Sequence, residues 1–238
     1  MSRHFGGTGT THEIDTNARI TSAGTITLMA WGYLLSAGSS NSGRFYSQDS
    51  DGAVGNEAYL VSALVGGGSQ LRLNTDWDYD TTNMASASSE STLVTGQWMH
   101  IAVVHNSTTK RGELYVDGVG PLTLTLDTQG ATTQVSPTSH HLFLGNRADN
   151  DRTFHGALAF PTAHGLGLTA GEIQQQMRWP GSVRRGLVGF WPLLSSEAGV
   201  EPDYSGQGVT GTVTGALSST SAPPVCGMAV LPCPGGAY

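Results

Sequence analysis

An all-β fold, with two antiparallel sheets stacked as a jelly-roll sandwich and one short helix, is what these 238 residues predict. Composition is the first reason: 33 glycines and a heavy Ser/Thr load, with only 12% charged residues, describe many turns and a polar surface. Spacing is the second. Apolar runs of strand length recur along the chain, most of them bounded by Gly, Ser, Asn or Asp, and they do not alternate with helical patterns. The length fits a single domain with a sizeable core, placed over residues 1–216, and residues 217–238 read as an extended Pro/Gly/Ser-rich tail.

In chain order the expected strands are TTHEID (10–15), TITLMAWGYL (25–34), EAYLVSALV (57–65), SQLRLNT (69–75), WMHIAVVH (98–105), ELYVDG (113–118), PLTLTL (121–126), HLFLG (141–145) and TFHGALAF (153–160). Side chains alternate along a strand, so Trp98, His100, Ala102 and Val104 face one way and Met99, Ile101, Val103 and His105 the other. Neither set is polar enough for water, which predicts a strand inside a sheet covered on both faces. NSTTKRG then supplies a polar turn, and Asp117-Gly118 is a two-residue turn signal leading into PLTLTL. The helix is LTAGEIQQQM, from Leu168 to Met177: Thr169 caps it, Glu172 completes a capping box, Leu168 can staple to Ile173, and Pro180 bars extension. DYSGQGVTGTVTG reads as a turn and a last strand.

The net charge of -7, with Lys110 the only lysine, leaves no basic stripe for phosphates or an anionic membrane, so neither nucleic acid nor membrane is an expected partner. No run approaches the roughly 18 apolar residues of a spanning helix, and MSRHFGG lacks the apolar stretch of a secretion signal. The expected product is therefore made in the cytoplasm and left there. Cys226 and Cys233 are expected as reduced thiols in that compartment, the alternative being a disulfide that closes a short loop and staples only the tail.

WMHIAVVHNSTTKRGELYVDGV, then HLFLGNRADNDRTFHGALAF with LTAGEI, then GLVGFWPL with DYSGQGVTGTVTG, resemble the laminin G-like group of the concanavalin A-type lectin and glucanase jelly rolls. Together they span about two thirds of the chain in that family's usual order. The resemblance implies a sandwich that binds carbohydrate or protein, sometimes with calcium, and is an enzyme only in some branches. Retaining glucanases of this kind carry two carboxylates on one strand, roughly 5 to 5.5 Å apart. Here Glu13-Ile14-Asp15 continues as Thr16, Asn17, Ala18 and Arg19, so the second catalytic carboxylate is missing and no catalytic residue is assigned.

Calcium has weak candidates in Asp149 and Asp151, beside Asn146 and Asn150, and in Asp76 and Asp78, which with Asp80 share one face of DWDYD. The EF-hand spacing fails after Asp76, and Ala159 and Phe160 stand where the family pattern often has an acid, so no cofactor is expected. His140 and His141 face opposite ways on a strand, so they cannot both join His155 or His164 round zinc. Trp77, Tyr79 and Trp179 are the aromatic residues that could stack on sugar rings.

The arrangement of RRGLVGFWPL, DYSGQGVTGTVTG and a Pro-containing tail also resembles laminin G-like proteins encoded in phage genomes. With no signal, this predicts a non-catalytic virion protein, decorating a capsid or forming part of a fibre, with the capsid shell or other virion protein and further copies of itself as partners. A carbohydrate-binding module is the alternative, and a glucanase comes third. In the tail, Val225, Met228, Val230 and Leu231 are expected to lie extended along a partner. The competing expectation is that the tail folds back over an exposed sheet edge of its own domain.

Overall fold

The computed structural model describes residues 1–19, 24–49, 57–65, 71–77, 79, 82–131, 133, 141–195 and 199–225. The strands in chain order are β1 (Ser2–Gly6), β2 (Glu13–Asp15), β3 (Ile26–Leu34), β4 (Ser42–Asp49), β5 (Glu57–Val65), β6 (Leu71–Trp77), β7 (Met84–Ser88), β8 (Trp98–Asn106), β9 (Arg111–Val116), β10 (Leu124–Thr128), β11 (Phe143–Leu144), β12 (His155–His164), β13 (Leu187–Phe190), β14 (Val200–Glu201), β15 (Gly211–Thr214) and β16 (Leu217–Ser219), with the helix α1 (Ala170–Arg178) between β12 and β13. They form two antiparallel sheets, as a jelly-roll sandwich requires. The back sheet has seven strands in the order β16-β1-β12-β3-β8-β9, with β13 also paired to β12; the front sheet has nine, in the order β10-β7-β6-β5-β4-β11-β2-β15-β14.

The core lies between the sheets, and alternation decides what enters it. Ile26, Leu28, Ala30 and Leu34 of β3 and Met99, Ile101 and Val103 of β8 face Tyr46, Ala63, Leu73, Trp77 and Leu144 of the front sheet. The Tyr46 hydroxyl crosses the gap and donates to the Met29 carbonyl, tying the sheets together. The other side of β3 and β8 is also apolar because α1 covers it: Met29, Ala102 and Val104 pack on Leu168, Ile173 and Val183. Double covering is what the absence of a wet face along β8 predicts.

The turn chemistry is visible in the backbone. Asp117 and Gly118 both take positive φ, 51° and 74°, the pair a type I′ turn demands, and Val116 and Val119 exchange hydrogen bonds across it. In α1 the Thr169 side chain accepts from the Glu172 N–H and Glu172 accepts from the Thr169 N–H, closing the capping box.

Residues 217–225 depart from the expectation of an unstructured tail. Leu217–Ser219 forms β16 and pairs with β1, Trp98 Nε1 and Ser2 Oγ donate to Ser221, and Val225 is buried against Trp31, Phe160 and Phe190 on the outer face of the back sheet. An edge strand with open hydrogen-bonding groups and an uncovered apolar face account for both contacts. Val225 thus serves its own domain instead of an extended partner contact, while Met228, Val230, Leu231, Cys226 and Cys233 lie outside the described residues.

Candidate functional site

The outer face of the front sheet carries the candidate site. Ile14, Leu144, Leu73 and Trp77 point into the core, so their neighbours Glu13, Asp15, Phe143, Arg72, Asn74 and Asp76 point away from it. Register aligns them: Asp15 pairs with Phe143, Phe143 with Ser47, Ser47 with Leu60 and Leu60 with Asp76, while Arg44 pairs with Ser62 and Ser62 with Asn74. The floor of this surface is polar and closely packed, with Arg44, Ser47, Ser62 and Asn74 buried; its rim, made by Glu13, Asp15, His141, Phe143, Arg72 and Asp76, is partly open to solvent.

Several rim and floor groups have unused hydrogen-bonding capacity. Glu13 Oε2, Ser47 Oγ, Ser62 Oγ and Arg72 Nε are buried without a hydrogen-bond partner among the described residues. Each such atom costs about 1–3 kcal/mol unless water or a ligand completes it. Burial, with Asp15 adding to it, pushes the Glu13 carboxyl up to about 7. Asp15 accepts a hydrogen bond from His141, whose Nδ1 lies 2.9 Å from Asp15 Oδ1. Burial raises Asp76 as well, opposed by the Asn74 amide at 2.8 Å and by the charges of Arg44 and Arg72. A half-buried phenyl ring with the Asp15 carboxylate and the Ser47 hydroxyl on the neighbouring strands and the His141 imidazole two residues away offers what a sugar presents in reverse: an apolar face for C–H groups and polar partners for hydroxyls.

Asp76 does not complete a glycosidase pair with Glu13 or Asp15. Four strand steps separate β2 from β6, which at about 4.8 Å each is about 19 Å, far beyond the roughly 5–9.5 Å that either glycosidase geometry uses.

The sequence-level candidates scatter. Trp77 and Tyr79 are 0% and 5% exposed, so neither can offer a ring to a sugar. Trp77 stacks on His105 with centroids 4.2 Å apart, and Tyr79 Oη is 2.7 Å from His105 Nε2. The alternation of β6 explains the correction, since Trp77 shares its parity with the core residues Leu73 and Thr75. Asp149 and Asp151 flank Arg147, whose Nε lies 2.6 and 2.5 Å from them, and Asp151 also meets Arg152 at 2.6 Å. Asn146 fastens the same loop by accepting from the Arg147 and Arg152 N–H groups. These acids neutralise arginines, which is a different use from the calcium loop considered for them. Asp76 faces Arg44 and Arg72 with no second acid of that set beside it among the described residues, and Asp78 lies outside them. His155 and His164 stand at opposite ends of β12, about 30 Å apart at strand rise. Phe143 is the candidate-site residue the sequence reading missed, and His141 was weighed only as a zinc ligand; the signal was HLFLG, where Leu142 and Leu144 claim the core and leave His141 and Phe143 facing out.

A two-sheet, lectin-type jelly roll with a polar outer face on its front sheet defines the class. The chain belongs to the concanavalin A-like lectin/glucanases superfamily, whose laminin G-type family model matches residues 6–174. No curated protein matches its sequence. Among solved structures it is similar to a Bacteroides ovatus protein provisionally named as carbohydrate-binding, with a TM-score of 0.65 and 18% identity over 94% of this chain and 60% of that one. It is also similar to the heptameric SAP-like pentraxin of Limulus polyphemus (TM-score 0.59, 16% identity, 90% of this chain and 95% of that one). A third likeness is to tailspike protein 2 of an Escherichia coli O157:H7 bacteriophage (TM-score 0.52, 12% identity, 81% of this chain and 30% of that one). At these identities the likenesses define the fold.

Proposed function

We propose that this chain is a non-catalytic glycan-binding module that works as a component of a virus particle, with the outer face of the front sheet as its binding surface. The observation that carries the glycan reading is the in-register row Asp15, Phe143 and Ser47, joined by His141 and set beside buried polar atoms that lack partners. Its ring and its open hydrogen-bonding groups suit a saccharide more than an apolar peptide. The lectin-like family and the likeness to a protein provisionally named as carbohydrate-binding support the same reading. A glycan array probed with the parent chain and with Phe143→Ala tests it: selective binding by the parent and at least about tenfold weaker binding by the variant are expected, the loss of one stacking anchor being worth about 1.4 kcal/mol. An array on which the parent binds nothing overturns it.

The virion setting has support of its own in the tailspike likeness. The partners proposed there are the capsid shell or another virion protein and further copies of this chain, as either a capsid decoration or a fibre component. Mass spectrometry of purified particles should find this chain in a fixed ratio to the shell protein. Its absence from particles would leave a free lectin instead.

A further inference from the structure

On the opposite side of the sandwich, α1 ends in a surface cleft of about 330 Å³ lined by Gly171, Gln174, Gln175, Arg178, Trp179 and Ser182. The first four fall at i, i+3, i+4 and i+7, one face of the helix, while Ile173 and Gln176 are buried beneath it. We propose that this cleft is a second saccharide-binding site, specific for a pyranose that bears a carboxylate.

Four features carry the proposal. Trp179 is 46% exposed, whereas Trp31, Trp77 and Trp191 are buried. Its position is fixed by the helix end, where its N–H donates to the Gln175 carbonyl and its own carbonyl accepts from the Ser182 N–H. The Gln174 and Gln175 amides are held too, donating to the Gly118 carbonyl at 3.0 Å and Ser182 Oγ at 3.3 Å, which leaves their oxygens for sugar hydroxyls. Arg178 makes no ion pair among the described residues, and the nearby carboxylate of Glu172 is taken by Arg185 at 2.7 Å. The lining contains no acid. An indole platform with fixed amides selects a sugar ring, and a single unpaired guanidinium selects one with a carboxylate, which it can grip in two parallel hydrogen bonds.

The site is independent of the front-sheet surface, because α1 lies on the outer face of the back sheet. Together they make the protein able to hold two glycans on opposite faces.

The test follows the Trp179 indole N–H by NMR while the full chain is titrated with oligosaccharides carrying hexuronic or nonulosonic acids, their methyl esters, and sulfated and neutral counterparts. Carboxylated probes should shift the resonance, and by calorimetric titration Trp179→Ala and Arg178→Gln should each bind them at least about tenfold more weakly than the parent. Gly171→Leu should also block binding without loss of fold, since a Cβ there meets nothing within 4 Å. Phe143→Ala should leave the titration unchanged, so failure here and failure on the front sheet are separable. The proposal is overturned if no carboxylated probe acts at up to about 10 mM, if esters or sulfates bind as well, or if Arg178→Gln binds like the parent.

Discussion

Glu13 is a carboxyl held by burial where it keeps its proton nearly to neutrality, about 7 against an ordinary 4.5. Because the folded chain binds that proton more tightly than the unfolded one, its stabilising contribution is full below about 4.5 and is lost as pH rises through about 7. Glu13→Gln should therefore melt higher than the parent at pH 8 and almost together with it at pH 4; calorimetry at the two pH values checks this, and an equal difference at both would refute the assignment. A second residue-scale prediction concerns Arg3 and Glu201, paired at 2.8 Å with exposures of 2% and 1%. Arg3→Ala strands a buried carboxylate and should cost about 3–5 kcal/mol, while pairing Arg3→Met with Glu201→Leu should recover most of it. Chemical denaturation of the single and double variants measures both.

At the scale of elements, α1 and β8 were legible because each rests on local chemistry: a capping box for the first, strict alternation with apolar residues on both sides for the second. Thr169→Ala should cost about 1 kcal/mol, read as a melting temperature lower by about 2–4 °C. Strands β4 and β7 were not legible. In β4 a bulge between Arg44 and Tyr46 breaks the alternation, and β7 is MASAS, whose buried serines and alanines carry little strand propensity. The candidate site was half-readable for the same reason. Glu13 and Asp15 stood out as acids on one side of a strand, but Phe143 belongs to a two-residue strand inserted between β2 and β4, and only tertiary pairing brings it to them. The strand β16 escaped because three residues of Leu-Ser-Ser have no pattern of their own; β1 supplies the template. Truncation after Ala216 should accordingly lower the melting temperature and expose dye-binding apolar surface around Trp31 and Phe160, and unchanged melting would show that residues 217–225 contribute nothing.

For the molecule as a whole, two buried neutral histidines, His100 on the outer side of β8 and His105 on its core side, shape the response to acid. Burial pushes His100 down to about 3 and His105 to about 4, so unfolding releases groups that protonate near 6.5. Stability should fall as pH drops from about 6.5 towards 4, by at most about 1.4 kcal/mol per pH unit for each histidine. The carboxyls of Glu13, Asp76, Asp117 and Glu201, all raised by burial, act in the opposite direction over part of that range, and His164, pushed down by burial, adds to the effect of His100 and His105. Urea midpoints at pH 7 and pH 5 check the net loss, and His100→Gln should make the pH dependence shallower; a midpoint that rises on acidification would refute this account.

The pairing of β1 with β16 has a mechanical consequence. Ser2 lies opposite Ser219 and His4 opposite Leu217, so the start of the first strand meets the finish of the last. Tension applied to these two ends loads the ladder like a zipper, one rung at a time, whereas strands pulled from far ends would share the load in shear. A domain tethered at both ends would release the Val225 and Ser221 contacts and then this clasp, at low force, with the doubly covered centre of the sheet still folded.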